Sequence, residues 1–162
     1  LMGVAAPFVG RAFDRVGPRP LLVPGTALVA SATWGLATLS ADSAPWVLLV
    51  CHVVMSGGLA LIFTPLFTSA LGSLSPRLYP HGSAVIGTVQ QVAGAAGIAL
   101  FVTVMTLQSV RLADGGAEEV ATTAGGIPAA FLVGAVIATL AIPAALAFRA
   151  PRSSAAPVTP GH

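Results

Sequence analysis

Long apolar runs without a single charged side chain alternate with short polar segments along this sequence. Four runs contain no Asp, Glu, Lys or Arg, at residues 21–40, 46–72, 84–108 and 127–148. At about 1.5 Å rise per residue, each can form a helix that crosses the roughly 30 Å hydrocarbon layer of a membrane. Because backbone groups in lipid must bond to one another, and because the even alternation of a barrel strand is absent, the pattern predicts four complete transmembrane helices.

A fifth apolar stretch, residues 1–9, is too short to cross a membrane and leads directly into a basic turn at 10–20. We interpret it as the end of a helix that starts earlier, so the chain is expected to be the carboxy-terminal part of a longer protein. The predicted fold class is an all-α, polytopic helical membrane protein, with its transmembrane region over residues 1–148. Residues 149–162 are rich in Pro, Ser and Ala, and they are predicted to form a disordered cytoplasmic tail.

Composition removes several classes of function. Charged residues make up 7% of the chain and hydrophobic residues 56%, whereas a soluble domain carries about 25% charged residues. The net charge of +2 comes from a few residues that flank apolar runs, which is typical of membrane topology and not of nucleic-acid binding. The histidines, at positions 52, 81 and 162, are too scattered to predict a metal site. Since no catalytic or phosphate-binding motif occurs, we expect no enzyme, no catalytic residue and no cofactor.

The arginines indicate which membrane face is cytoplasmic. If the four spans alternate in direction, nearly all arginines fall on one face, and arginine marks the cytoplasmic side. That face carries Arg11, Arg15, Arg19, Arg77, Arg149 and Arg152, whereas Arg111 lies on the other face with Asp42, Asp114, Glu118 and Glu119. The basic turn at 10–20 is therefore predicted to be cytoplasmic.

The basic turn carries a recognisable spacing of residues. Its sequence, GRAFDRVGPR over residues 10–19, places Gly10, Asp14, Arg15, Gly17 and Arg19 as in the pattern G-x-x-x-D-R-x-G-x-R. This resembles the signature loop of the major facilitator superfamily, which joins two transmembrane helices on the cytoplasmic side. The resemblance implies that these five residues form a conformational-switch loop. It also implies that Asp14 points at the amino end of a helix in the opposite half of the transporter.

A second segment, residues 58–100, resembles the late part of the fourteen-span drug:proton antiporters within that superfamily. Those proteins have a glycine-rich span with a proline, a short inner loop that ends in a Gly-Ser or Gly-Ala step, and a glutamine followed by a glycine-rich face. The matching positions are Gly57, directly before the segment, and Gly58, Pro65, Gly82, Gln91, Gly94 and Gly97 within it. Together the two segments extend the resemblance over residues 1–148.

The resemblance implies a secondary active transporter that exports drug-like or lipophilic small molecules in exchange for protons by alternating access. The implied partners are the lipid bilayer, the substrate and protons in the full-length protein, and an amino-terminal half that this sequence lacks. The implied location is the cell membrane, as a multi-pass protein, in a bacterium the inner membrane. Two other hypotheses stay open at this point: a stand-alone helical membrane protein with a structural or oligomeric role, and an inert truncated product.

Small residues inside the spans predict close helix packing, because they let helix backbones approach each other in lipid. Gly57 and Gly58 supply them in the second complete span, and Gly94 and Gly97 in the third. Pro65 joins this helix-packing set as the proline of the second span. The simplest interpretation of all five is that they shape contacts between helices.

Polar and aromatic side chains in the second and third complete spans are candidates for the substrate path. His52, Gln90 and Gln91 lie there, and a polar side chain in the membrane usually faces protein or a cavity. Adjacent glutamines point about 100° apart on a helix, so they do not both face the path centrally. Structural hydrogen bonds explain these three residues equally well. Three further candidates, Met55, Phe63 and Phe67, suit an adaptable apolar wall for lipophilic substrates, or ordinary packing.

The arginine distribution generates a first test, by cysteine labelling from outside intact cells. In a Cys51→Ala background, we expect an impermeant thiol reagent to modify a cysteine at position 114 and to leave one at position 77 unmodified. The reason is that Arg77 is predicted to lie on the cytoplasmic face and Asp114 on the opposite face. Labelling at 77 with none at 114 would refute the orientation.

Overall fold

The computed structural model describes residues 2–40, 42–116 and 119–148, and the tail predicted to be disordered lies outside these ranges. Within them every regular element is helical and there is no strand. A 3₁₀ turn, Pro76–Leu78, directly precedes the fourth helix. The five α-helices are α1 (Met2–Val16), α2 (Arg19–Ala37), α3 (Pro45–Gly72), α4 (Tyr79–Asp114) and α5 (Glu119–Ala147).

Four of these helices, α2 to α5, are long and apolar enough to cross a membrane. This confirms the predicted fold class, an all-α membrane protein with four complete transmembrane helices. The preceding helix α1 is shorter, at 15 residues, and ends in a charged turn. Because the helices present apolar side chains over most of their surface, the protein is a multi-pass membrane protein in contact with the lipid bilayer.

The helices extend further than the charge-free runs. Helix α3 follows its run almost residue for residue, but α4 begins before residue 84 and ends after 108, and α5 begins well before 127. Charge-free runs measure the apolar length of a helix, whereas the backbone hydrogen-bond ladder continues into the polar interface beyond the hydrocarbon. Of the residues between the third and fourth charge-free runs, 109–114 and 119–126 are therefore helical.

The helices pack in a definite order of neighbours. Helix α2 lies between α3 and α5, α5 also packs against α4, and α1 packs against α3. Helices α3 and α4 make little direct contact, so a gap is left between them.

Two glycines mark the crossing of α2 and α3. A Cβ atom added at Gly58 would lie 2.8 Å from the carbonyl oxygen of Gly25, and one added at Gly25 would lie 3.0 Å from the carbonyl oxygen of Gly58. Both glycines are buried. No larger residue fits this approach without moving a backbone, which is the small-residue packing expected between helices in lipid.

A glycine also allows a close backbone approach where α4 and α5 cross. A Cβ atom at Gly126 would lie 2.8 Å from the carbonyl oxygen of Met105 on α4. One further contact between these helices is aromatic, since the rings of Phe101 and Phe131 meet edge to face with centroids 5.1 Å apart. This is a favoured geometry for an aromatic pair.

A polar contact joins α2 to α5 within the membrane region. The indole Nε1 of Trp34 donates a hydrogen bond to the hydroxyl of Thr139, over 3.1 Å. That hydroxyl in turn donates to the carbonyl oxygen of Ala135, over 2.7 Å. Both polar groups are thus satisfied inside the helix pair, as an apolar surrounding requires.

The helix-packing candidates differ in their surroundings. Gly58 lies at the α2–α3 crossing and Pro65 is fully buried in α3, which runs through it without a break. A Cβ atom at Gly57, Gly94 or Gly97 would meet nothing within 4 Å. A packing role for these three glycines therefore stays a prediction about segments beyond the described residues.

The contrast between the adjacent glycines of α3 generates a stability test. In the 162-residue chain, we expect Gly58→Ala to lower the thermal unfolding temperature, at a cost of about 1–3 kcal/mol, because the added methyl group overpacks the crossing. Gly57→Ala is the matched control, and its effect should stay within about 0.5 kcal/mol. Equal melting temperatures of the two variants in detergent would contradict the close approach of α2 and α3.

Candidate functional site

The basic turn between α1 and α2 is shorter than the sequence suggested. Helix α1 continues through Asp14 and Arg15 to Val16, so only Gly17 and Pro18 lie outside the helices. The prediction of a connection over residues 10–20 was therefore wrong in length. Charged side chains at a membrane surface do not end a helix by themselves, since the backbone ladder can continue beneath them.

Gly17 ends helix α1. Its φ of +77° is in the left-handed region, and its N–H donates to the carbonyl oxygen of Phe13 over 2.9 Å. This is the left-handed cap that commonly closes a helix, and it strains any residue with a Cβ. Pro18 and Pro20 then pre-set the backbone for the start of α2. The sharp reversal of the chain therefore depends on this one glycine and the prolines after it.

The other residues of the turn lie on the last turns of α1. Asp14 and Arg15 are exposed, and Gly10 has an open surrounding on the same helix. The carboxylate of Asp14 makes no ion pair or hydrogen bond with any residue that the structure describes. The turn thus presents one exposed acid beside exposed guanidinium groups.

Arg19 makes a contact that the sequence did not predict. Its Nε donates to the carbonyl oxygen of Phe148 over 2.6 Å, and its Nη2 donates to the carbonyl oxygen of Leu146 over 2.7 Å. Helix α5 ends at Ala147, where carbonyl groups lack partners within the helix and the helix dipole favours a cation. Arg19 therefore caps α5 from a position more than a hundred residues away. The only sequence signal was that both lie on the predicted cytoplasmic face.

A groove opens where α3 and α4 diverge. It has a volume of about 440 Å³ and a wall that is almost entirely apolar. One side comes from α3, the other from α4, and Phe148 after α5 contributes as well. The main lining residues are Phe63, Leu66, Phe67, Ser69, Val89 and Gln90. Because Phe148 is held by Arg19, the groove lies at the same end of the bundle as the basic turn.

The structure separates the substrate-path candidates into two groups. Phe63, Phe67 and Gln90 line the groove, and the two phenylalanine rings lie with centroids 6.4 Å apart. His52 and Met55 lie in the amino-terminal half of α3, away from the groove, and Gln91 is exposed without lining it. Only one of the two adjacent glutamines therefore lines the groove, as expected from the 100° offset between Gln90 and Gln91 on the helix.

Sequence reasoning missed most of the other lining residues of the groove, among them Ser69 and Phe148. The hydroxyl oxygen of Ser69 is buried and has no hydrogen-bond partner among the described residues. Its offset of three residues from Leu66, which is itself three residues from Phe63, was a usable signal, because positions three or four apart share a helix face. Phe148 gave no such signal, since its contribution depends on how α5 ends beside α3 and α4.

Within the described residues, no group of three His, Cys, Asp or Glu side chains is placed to hold a metal ion. The expectation of no metal and no cofactor stays a prediction. What the described site offers is an apolar groove with an amide and a hydroxyl, next to a basic turn that contacts the last helix. An apolar groove with a few polar groups suits the binding of an apolar molecule.

The fold and this site define a polytopic helical membrane protein with a basic turn and an apolar groove beside it. The sequence model of the major facilitator superfamily matches residues 1–162. The chain belongs to the major facilitator superfamily, a family of transporters rather than enzymes.

Known relatives include proteins named for drug resistance. The chain is 35% identical over 154 residues to a lincomycin resistance protein, LmrB, of Listeria monocytogenes, covering 92% of the chain and 33% of that relative. It is 32% identical over 139 residues to the puromycin resistance protein pur8 of Streptomyces alboniger, covering 80% of the chain and 27% of that relative. The chain therefore spans about a third of the length of these relatives. No solved structure matches the chain significantly.

Proposed function

We propose that this chain forms the carboxy-terminal part of a proton-coupled exporter of drug-like or lipophilic small molecules in the cell membrane of a bacterium, working by alternating access. The observation that carries the proposal is the apolar, aromatic groove beside the basic turn. Two bacterial relatives with drug-resistance names support the class of substrate. Family membership favours this function over a structural subunit.

The chemistry of the groove suits a lipophilic substrate. Its volume of about 440 Å³ lies in the range of small-molecule sites, which are mostly apolar with a few polar groups that fix orientation. Phe63 and Phe67 supply flat apolar surface, and Gln90 with Ser69 supplies an amide and a hydroxyl. Among the residues that the structure describes, no charged side chain lines the groove, so a neutral or weakly polar molecule fits it best.

Proton coupling is proposed to come from outside this chain. All acids of the sequence lie outside the four charge-free runs: Asp14, Asp42, Asp114, Glu118 and Glu119. A proton relay through a membrane needs titratable groups inside it. The coupling acids are therefore proposed to lie in the amino-terminal part that completes the transporter.

The neighbouring glutamines of α4 offer a matched test of the groove. In the full-length transporter, we expect Phe67→Ala to raise the KM for a lipophilic substrate roughly tenfold, the ratio that corresponds to about 1.4 kcal/mol of lost contact. Gln90→Leu should also raise KM, whereas Gln91→Leu should not, because only Gln90 lines the groove. Uptake into proteoliposomes under an imposed pH gradient measures all three.

Two results would count against this assignment. If Gln90→Leu and Gln91→Leu change KM equally, the glutamines act through helix packing and not through the groove. If all three variants keep the parent KM at equal protein amount, the substrate path lies elsewhere in the transporter. Transport that persists unchanged without a pH gradient would contradict proton coupling.

Asp14 generates a separate test of the conformational switch. The resemblance implies that this exposed acid meets the amino end of a helix in the opposite half, where free N–H groups favour negative charge. Asp14→Asn in the full-length transporter should lower the transport rate while membrane insertion and protein amount stay unchanged. The matched control is Asp42→Asn, at the other end of α2. If the Asp14 variant and the parent transport equally, the switch role is contradicted, and the basic turn only sets the orientation of the protein in the membrane.

A further inference from the structure

We propose that Arg19 is a positioning residue that sets the width of the α3–α4 groove by holding Phe148 in its wall. The proposal goes beyond capping, because it connects the basic turn to a residue that lines the groove. The expected effect on substrate KM values rests on the proposed function of the groove, whereas the expected effect on cysteine labelling at position 148 does not.

The first step is the geometry of the guanidinium group. The Arg19 fork bonds two carbonyl oxygens at once, those of Leu146 and Phe148, at 2.7 Å and 2.6 Å. Leu146 is in the last turn of α5, and Phe148 is the first residue after the helix end at Ala147. A planar fork with fixed donors holds two acceptors in one geometry, which a lysine ammonium cannot reproduce.

The second step is the position of Phe148. Helix α5 packs against α2 and α4 but not against α3. Phe148 nevertheless lines the groove together with Phe63 and Phe67 of α3 and with Val89 of α4. Phe148 directly follows the helix end at Ala147, and the contact from Arg19 to its carbonyl oxygen holds it from the side of the turn.

The consequence is a mechanical link between the turn and the groove. Arg19 is the first residue of α2 and follows Gly17 and Pro18 directly. Any movement of the turn relative to α5 therefore pulls on the carbonyl of Phe148 and changes the wall of the groove. The bulk at position 148 then limits the size of the molecule that the groove accepts.

Cysteine accessibility at position 148 tests the positioning directly. Phe148→Cys keeps the backbone carbonyl that Arg19 bonds, and it is made in the full-length transporter in a Cys51→Ala background. We expect Arg19→Gln to raise the rate of maleimide labelling at this cysteine roughly tenfold, the ratio expected for losing one hydrogen bond to a charged group. Arg19→Lys should give an intermediate rate. It keeps the positive charge and the membrane orientation, so it also tests the proposal if Arg19→Gln fails to fold.

The matched control is Arg77→Gln, which removes another exposed arginine of the predicted cytoplasmic face. It should leave the labelling rate unchanged, since Arg77 makes no contact with Phe148. A labelling rate that stays within twofold of the parent in both Arg19 variants overturns the positioning role. An equal increase with Arg77→Gln overturns it too, because the effect would then come from surface charge.

Substrate size completes the test. With native Phe148, Arg19→Lys should lower the KM for bulky substrates relative to small ones, and Phe148→Ala should shift the same ratio further in that direction. Phe148→Trp should shift it the opposite way. Faster labelling with unchanged KM values would leave the link between Arg19 and Phe148 established and would contradict the groove as substrate path. Unchanged labelling with altered KM values would overturn the link and leave the groove in place.

Discussion

Lipid hydrocarbon offers no hydrogen-bond partner to a polypeptide backbone, and the rest of this structure depends on that constraint. Spanning segments of this kind are helices, so backbone N–H and C=O groups lack partners only at the helix ends. At the end of α1 it is solved by Gly17, whose left-handed conformation lets its N–H bond the carbonyl of Phe13. At the end of α5 it is solved by Arg19, which bonds two carbonyls at the boundary of the membrane. The basic turn thus serves two helix ends at once.

Packing between the helices follows from the same solvent. Lipid chains are as apolar as the helices, so association depends on close van der Waals contact and a few polar bonds. Gly25 and Gly58 allow α2 and α3 to approach at their backbones, and Gly126 does so for α4 and α5. The hydrogen bond from Trp34 to Thr139 joins α2 to α5. Helix α4 has no buried residue among those described, so its surface is open to lipid or to the rest of the transporter.

The groove and the turn become one functional unit through a single side chain. The aromatic wall of Phe63 and Phe67 comes from α3, and the amide of Gln90 comes from α4. Phe148 closes one end of this wall, and its carbonyl is bonded by Arg19 of the turn. Alternating access in transporters moves one group of helices against another, and under the proposed function the bond from the turn to a wall residue would carry such a movement to the groove. The bond from Arg19 to Phe148 is thus the described contact between the turn and the groove wall.

The sequence by itself determined the fold class, the number of spanning helices and the position of the basic turn, because charge-free length and arginine placement are properties of single segments. It also selected Phe63, Phe67 and Gln90, although it could not separate them from His52, Met55 and Gln91, since a helix pattern does not show which face meets a cavity. Only the tertiary structure decided that Gly58 lies at a crossing and that Gly57 does not. The contact from Arg19 to Phe148 also appeared only there, because it joins distant residues through a backbone carbonyl that carries no side-chain identity.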